Sequence, residues 1–196
     1  VYLQVTRGAA ERDFVYSDDA TPTIVMFTQD KPIAETIAAQ TGIKVISLPD
    51  IRWARRDIKT VQLLASSMCK TAAKAEGKDD AWLVEDGFVT EGTSNNAYIV
   101  TKSGKIVTRD LSRSLLHGIT RAAVLDYAKA AQMQIEERPF TIAEAQDAAE
   151  AFITAASTFV CPVVEIDGVA IGSGAPGPVA KRLRELYLEE SRKAAI

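Results

Sequence analysis

Asp57-Ile58-Lys59-Thr60, Glu91-Gly92-Thr93-Ser94-Asn95-Asn96 and Gly118-Ile119-Thr120-Arg121 follow one another along the chain at intervals of about thirty residues. Each segment offers a different chemical part. Lys59 carries an amine able to form a Schiff base with an aldehyde, and Glu91 a carboxylate able to keep a pyridine nitrogen protonated so that the ring accepts electrons. Ile119 and Thr120 are expected to open a helix whose free backbone N–H groups can receive a phosphate dianion, with the Thr120 hydroxyl beside them. Taken singly, Lys59 reads as a solvated cation, Glu91 as an exposed turn residue and Gly118 as a plain helix cap. Taken together, in this order, they could hold pyridoxal 5′-phosphate.

The pattern around them interleaves strands and helices. Residues 1–6 and 23–28 read as strands rich in β-branched residues, and 43–48 as another. Asp30-Lys31-Pro32 predicts a helix through Ala39, closed by Thr41-Gly42. Apolar residues at helical spacing (Val61, Leu64, Ala65, Met68, Ala72) predict a helix over 60–76, which puts Lys59 at a strand-to-helix junction. Four short strands at 81–85, 88–90, 97–101 and 105–108, punctuated by Asp86-Gly87 and Ser103-Gly104, predict a small antiparallel sheet, with Glu91 just after its second strand. A helix over 119–133, a strand at 134–137, a short helix at 141–147, strands at 151–154 and 160–166, and a final amphipathic helix at 179–190 complete the reading.

Composition bounds the class. With 196 residues, 47% of them hydrophobic, the chain can bury a substantial core as one ordinary domain. A net charge of −3 shows no basic excess for nucleic acid. Cys69 and Cys161 stand far apart in apolar settings and read as reduced core thiols. No apolar run approaches a membrane span, so no membrane partner is expected and the cytoplasm is the expected compartment. One histidine and no clustered cysteines leave a zinc site or a Ser-His-Asp triad without parts. No metal site is expected. Gly-x-Gly-x-x-Gly and phosphate-loop signatures are missing as well.

The three segments and their surroundings resemble the fold type IV (class IV) pyridoxal phosphate-dependent aminotransferases, and among them the D-amino acid aminotransferases more than the branched-chain enzymes. The resemblance runs from Val1-Tyr2-Leu3-Gln4-Val5-Thr6-Arg7-Gly8 through Arg52-Trp53, the three segments above and Leu116-His117, to Pro162-Val163-Val164-Glu165-Ile166-Asp167-Gly168. It implies an α/β (α+β) fold, the large C-terminal domain of such enzymes, with a mixed, barrel-like β-sheet flanked by helices. Residues 35–196 would be the cofactor-binding large domain and 1–34 an interdomain segment with the first strands. Family members carry a further N-terminal domain before this point, so the chain is expected to be a fragment.

The resemblance also implies roles. Lys59 would be the catalytic residue, holding the cofactor and moving protons. Glu91 would face the ring nitrogen and Leu116 would pack on one ring face. Ile119 and Thr120 would form the phosphate cup, with Ala156 and Ser157 in a second phosphate-contacting loop. His117 is expected to be exposed or accessory. D-amino acid aminotransferases commonly trap the substrate carboxylate with an arginine and a histidine two residues later; Arg12 fills the arginine position, but Phe14 replaces the histidine. The expected reaction moves an amino group from a D-amino acid to a 2-oxo acid, 2-oxoglutarate or pyruvate, in a homodimer. Two neighbouring readings of the same fold are 4-amino-4-deoxychorismate lyase, which would release pyruvate, and a branched-chain aminotransferase. A reading of another class is a non-catalytic remnant that acts in binding or assembly.

Overall fold

The structure, a computed structural model, describes residues 1–194. The chain divides into a unit at Val1–Pro32 and a larger one from Ile33 onward. In the first, β1 (Tyr2–Thr6) and β2 (Thr23–Phe27) pair antiparallel, and the Tyr2 and Phe27 rings stack with centroids 4.9 Å apart. Leu3 faces Met26 and Val5 faces Ile24 across the ladder, so these four side chains share one face of the ribbon. All four are more than half exposed. Gly8 begins the long connection between the strands at φ 118°, where an added Cβ would meet the Thr21 carbonyl at 2.3 Å.

The larger unit runs α1 (Ile37–Thr41), β3 (Ile43–Pro49), α2 (Leu64–Ala75), β4 (Asp80–Glu85), β5 (Phe88–Gly92), β6 (Asn96–Val100) and β7 (Ile106–Thr108). It continues through α3 (Ile119–Ala130), β8 (Ile135–Glu137), α4 (Ile142–Gln146), β9 (Glu150–Ala155), β10 (Phe159–Ile166), β11 (Val169–Ala170) and α5 (Pro178–Ala194). Among the described residues nine strands form one mixed sheet in the order β5-β4-β3-β10-β9-β6-β7-β8, with β11 paired to β10. β3 lies parallel to both β4 and β10, and β7 parallel to β8; the other pairs are antiparallel.

The sheet is curled, and its connectivity says why. β5 forms one edge and β6 stands sixth along, about 24 Å away were the sheet flat. Yet the link from Gly92 to Asn96 reaches only about 14 Å at full stretch. The sheet therefore bends until β5 returns toward β6, and Gly92 N–H donates to Asn95 O at 2.8 Å across the closing turn. Alternate residues serve the two faces. Tyr98, Val100 and Phe152 pack with Val124, Leu125 and Leu183 of α3 and α5, while Ile46, Ala81 and Leu83 pack with Cys69 and Ala73 of α2. On the opposite face Val45, Trp82, Val89, Ile99 and Ile153 fill the inside of the curl beside α4.

Four local expectations are corrected. The short strands of the middle segment are not a separate antiparallel sheet: β3, β10 and β9 lie between the two hairpins. Glu91 lies within β5, not after it. The first helix starts at Ile37, because the Ile33 and Ala34 carbonyls accept from the Arg184 guanidinium and Thr36 caps Ala39 N–H instead. The second starts at Leu64, since Thr60 Oγ1 takes Gln62 N–H in a non-helical turn, so Lys59 sits in a connection spanning 50–63 and not directly against a helix. Both cysteines are free and buried, as expected.

Candidate active site

Glu91 is buried at the end of β5, and both of its carboxylate oxygens are held. Arg52 Nη1 donates to Oε1 at 2.5 Å. Oε2 accepts from Asn96 Nδ2 at 3.0 Å and from the Leu116 backbone N–H at 3.1 Å. Burial is the dominant influence and lifts the Glu91 carboxyl to about 7, against the pull of the Arg52 charge and these donors. Such a group takes a proton or a neighbouring cation near neutral pH.

Arg52 is itself oriented from behind. Asp50, with no exposed side-chain surface, accepts from Arg52 Nε at 2.9 Å and Nη2 at 2.7 Å, and from Thr90 Oγ1 at 2.7 Å. Burial alone would raise the Asp50 carboxyl, but the Arg52 and Thr90 bonds and the Arg56 charge hold it below the usual carboxylate range. Arg56, four residues on, grips both Glu85 oxygens at 2.7 and 2.8 Å. Two arginines thus tie the start of the 50–63 connection to β4 and β5. Lys59 follows on that connection, exposed and without a salt bridge among the described residues.

The turn before α3 makes the other end of the site. Gly118 is the N-cap, no side chain caps the helix, and no acidic residue stands in its first turn. Ile119 is 80% exposed, whereas Thr120 is buried with its Oγ1 lacking any partner. An uncapped helix start beside an orphaned buried hydroxyl is a fit for an anion such as phosphate. Leu116 is half-buried beside fully buried Leu115, and its carbonyl accepts from Asn96 Nδ2 at 2.9 Å. His117 is exposed, with Nε2 3.1 Å from Ser112 O.

Ala156 and Ser157 occupy an exposed turn between β9 and β10, the strand pair to which β6 also belongs through β9. Arg12 lies in the first unit, its guanidinium 5.5 Å from the Phe14 ring centroid. The structure therefore joins Glu91 to Leu116, in the turn before α3, through direct hydrogen bonds, and ties the Lys59 connection to Glu91 through Arg52. The roles of Arg52, Asp50, Thr158 (whose buried Oγ1 also lacks a partner) and Asn96 escape the sequence reading. Asn96 left one trace, a polar residue opening a strand otherwise made of Ala-Tyr-Ile-Val.

Residues 1–166 match the family model for amino-transferase class IV, and the chain belongs to that family. It is 42% identical over 186 residues to a D-alanine aminotransferase of Bacillus licheniformis, covering 94% of this chain and 64% of that protein. A D-alanine aminotransferase of Staphylococcus aureus is 34% identical, with 94% of this chain and 65% of that protein covered. The chain thus spans just under two thirds of the length of these relatives. The solved branched-chain amino acid aminotransferase of Escherichia coli shares the fold at a TM-score of 0.84 and 23% identity, over 95% of this chain and 64% of that one. A second solved branched-chain enzyme, complexed with N-(5′-phosphopyridoxyl)-L-glutamate, gives 0.69 at 34% identity, over 76% of this chain and 52% of that one.

Proposed function

We propose that this chain is the pyridoxal 5′-phosphate-binding part of a transaminase that takes the amino group of a D-amino acid and delivers it to a 2-oxo acid such as 2-oxoglutarate or pyruvate. The observation that carries this reading is the bonding of the buried Glu91 carboxylate, through Asn96 and Leu116, to the uncapped turn that opens α3. A carboxylate for a pyridinium and an anion site for a phosphate then stand at two ends of one small site. The names of the D-alanine aminotransferases add support for a D-amino acid donor.

When bound, the cofactor supplies an electron-accepting ring that eases removal of the substrate α-proton. Lys59 Nζ anchors the cofactor, then accepts that proton and returns it in each half of the exchange. Glu91 faces the ring nitrogen, where a charge-assisted bond favours its ionised form. Leu116 packs on the ring. Ile119 and Thr120 receive the phosphate, joined by Ala156 and Ser157. Arg12 takes the substrate carboxylate through its guanidinium fork. The donor leaves as a 2-oxo acid and the acceptor leaves as an amino acid, so nitrogen and charge balance. Residues 35–196 act as the cofactor-binding domain and 1–34 as the interdomain segment. A homodimer and a cytoplasmic setting belong to the same proposal, supported by the exposed apolar face of the β1–β2 ribbon and by two buried free thiols.

A branched-chain aminotransferase is the second reading, favoured by the 34% identity to the enzyme complexed with the phosphopyridoxyl glutamate. The test is to add pyridoxal 5′-phosphate to the purified chain, record the visible absorbance, reduce with borohydride and map the label. The expected result is a band absent from Lys59→Ala, label on Lys59, and loss of the band with D-alanine. Loss with L-leucine alone moves the assignment to the branched-chain reading. A band that neither amino acid alters leaves a cofactor-binding remnant, and no Lys59-dependent band removes the cofactor.

A further inference from the structure

We propose that Asn96 is the positioning residue that sets the spacing between the Glu91 carboxylate and the anion-receiving start of α3, so that the two ends of one cofactor are gripped together. This rests on the pyridoxal phosphate reading above. Asn96 is buried at the first position of β6, on the same sheet face as Tyr98 and Val100, the face that α3 covers. Its single Nδ2 donates both to Glu91 Oε2 at 3.0 Å and to Leu116 O at 2.9 Å. The Leu116 carbonyl can only accept, which fixes which end of the amide faces these oxygens. Its Oδ1 lies on the other side, where a Cβ at Gly118 would come within 2.3 Å. One side chain therefore touches the ring-end carboxylate with one hydrogen bond, the turn before α3 with another, and the N-cap glycine by close packing. Its backbone stands opposite Thr154 in the β6–β9 ladder, the residue that leads into the Ala156-Ser157 turn.

Two weak contacts on one rigid ligand reinforce each other only when their separation matches that of the ligand. Loss of Asn96 leaves Glu91 with its Arg52 and Leu116 donors and leaves the backbone N–H groups of the α3 start in place, while it loosens the distance between the two ends. The test uses three probes on the full chain: pyridoxal 5′-phosphate, which spans both ends; pyridoxal, which lacks the phosphate; and inorganic phosphate, which lacks the ring. For Asn96→Ala the expected result is a pyridoxal phosphate Kd raised about tenfold or more, with the Kd values of pyridoxal and phosphate each changed less than about threefold. Should that variant not fold, Asn96→Ser, which keeps a small polar group, carries the same comparison. Unchanged pyridoxal phosphate affinity overturns the proposal. So does a parallel loss for all three probes, which marks a general loosening of the fold. If the unmodified chain gives no Lys59-dependent binding of pyridoxal phosphate, the parent reading fails first and this one with it.

Discussion

The Glu91 carboxyl holds its proton up to about 7 in the folded chain, whereas in the unfolded chain it releases it near the ordinary 4.5. Between those values the folded state binds more protons, so the stability of the cofactor-free chain falls as pH rises through that window, by on the order of 3 kcal/mol. Denaturant titrations from pH 4.5 to 7 measure this, and Glu91→Gln, which cannot ionise, flattens the slope. The same substitution is expected to leave the fold in place and to lower the proposed transaminase turnover by about a hundredfold. Gly118 is required for a different reason. Its φ is ordinary, but a methyl group there meets Asn96 Oδ1, so Gly118→Ala destabilises by about 1–3 kcal/mol and weakens phosphate binding, read by unfolding and by titration. Glu91 and Thr120 stand out in the sequence because each brings its chemistry with it. The roles of Arg52 and Asn96 do not, because they exist only once Arg52, 39 positions before Glu91, and Leu116, 20 positions after Asn96, are brought to them.

Arg184 shows how one element's end is set by another. From α5 it donates to the carbonyls of Thr158, Val160, Ile33 and Ala34, with no carboxylate among these partners. Burial holds its guanidinium below the usual arginine range. Arg184→Met strands several of those carbonyls and is expected to cost about 2–4 kcal/mol in chemical denaturation. It is also the reason that Pro32 does not open a helix, as the Asp-Lys-Pro run suggests on its own. Strands and helices were readable wherever a local period ran against a turn signal: Asp86-Gly87 and Ser103-Gly104 each mark a real hairpin, and Gly77 follows the end of α2. Strand order was not, because a hairpin signal names a strand's sequence neighbour and is silent on β3, β10 and β9, which separate the two hairpins.

At the scale of the whole chain, the β1–β2 ribbon presents Leu3, Val5, Ile24 and Met26 on one exposed face. A patch of this kind promotes association. Light scattering against concentration is expected to show self-association that Leu3→Thr with Met26→Thr reduces; a monodisperse monomer before substitution removes the proposed dimer. Another consequence concerns time. β3 is flanked by β4, close behind it, and by β10, whose Asp167 end caps Ser47 from 120 residues away. A chain emerging from the ribosome therefore carries β3 with one edge unmated until nearly all of the domain has been made. Closing so long a loop is slow, and an apolar edge left waiting is open to the wrong neighbour. The arrival of β10, more than any event near Lys59, is then the step at which newborn chains divide between the native sheet and aggregation.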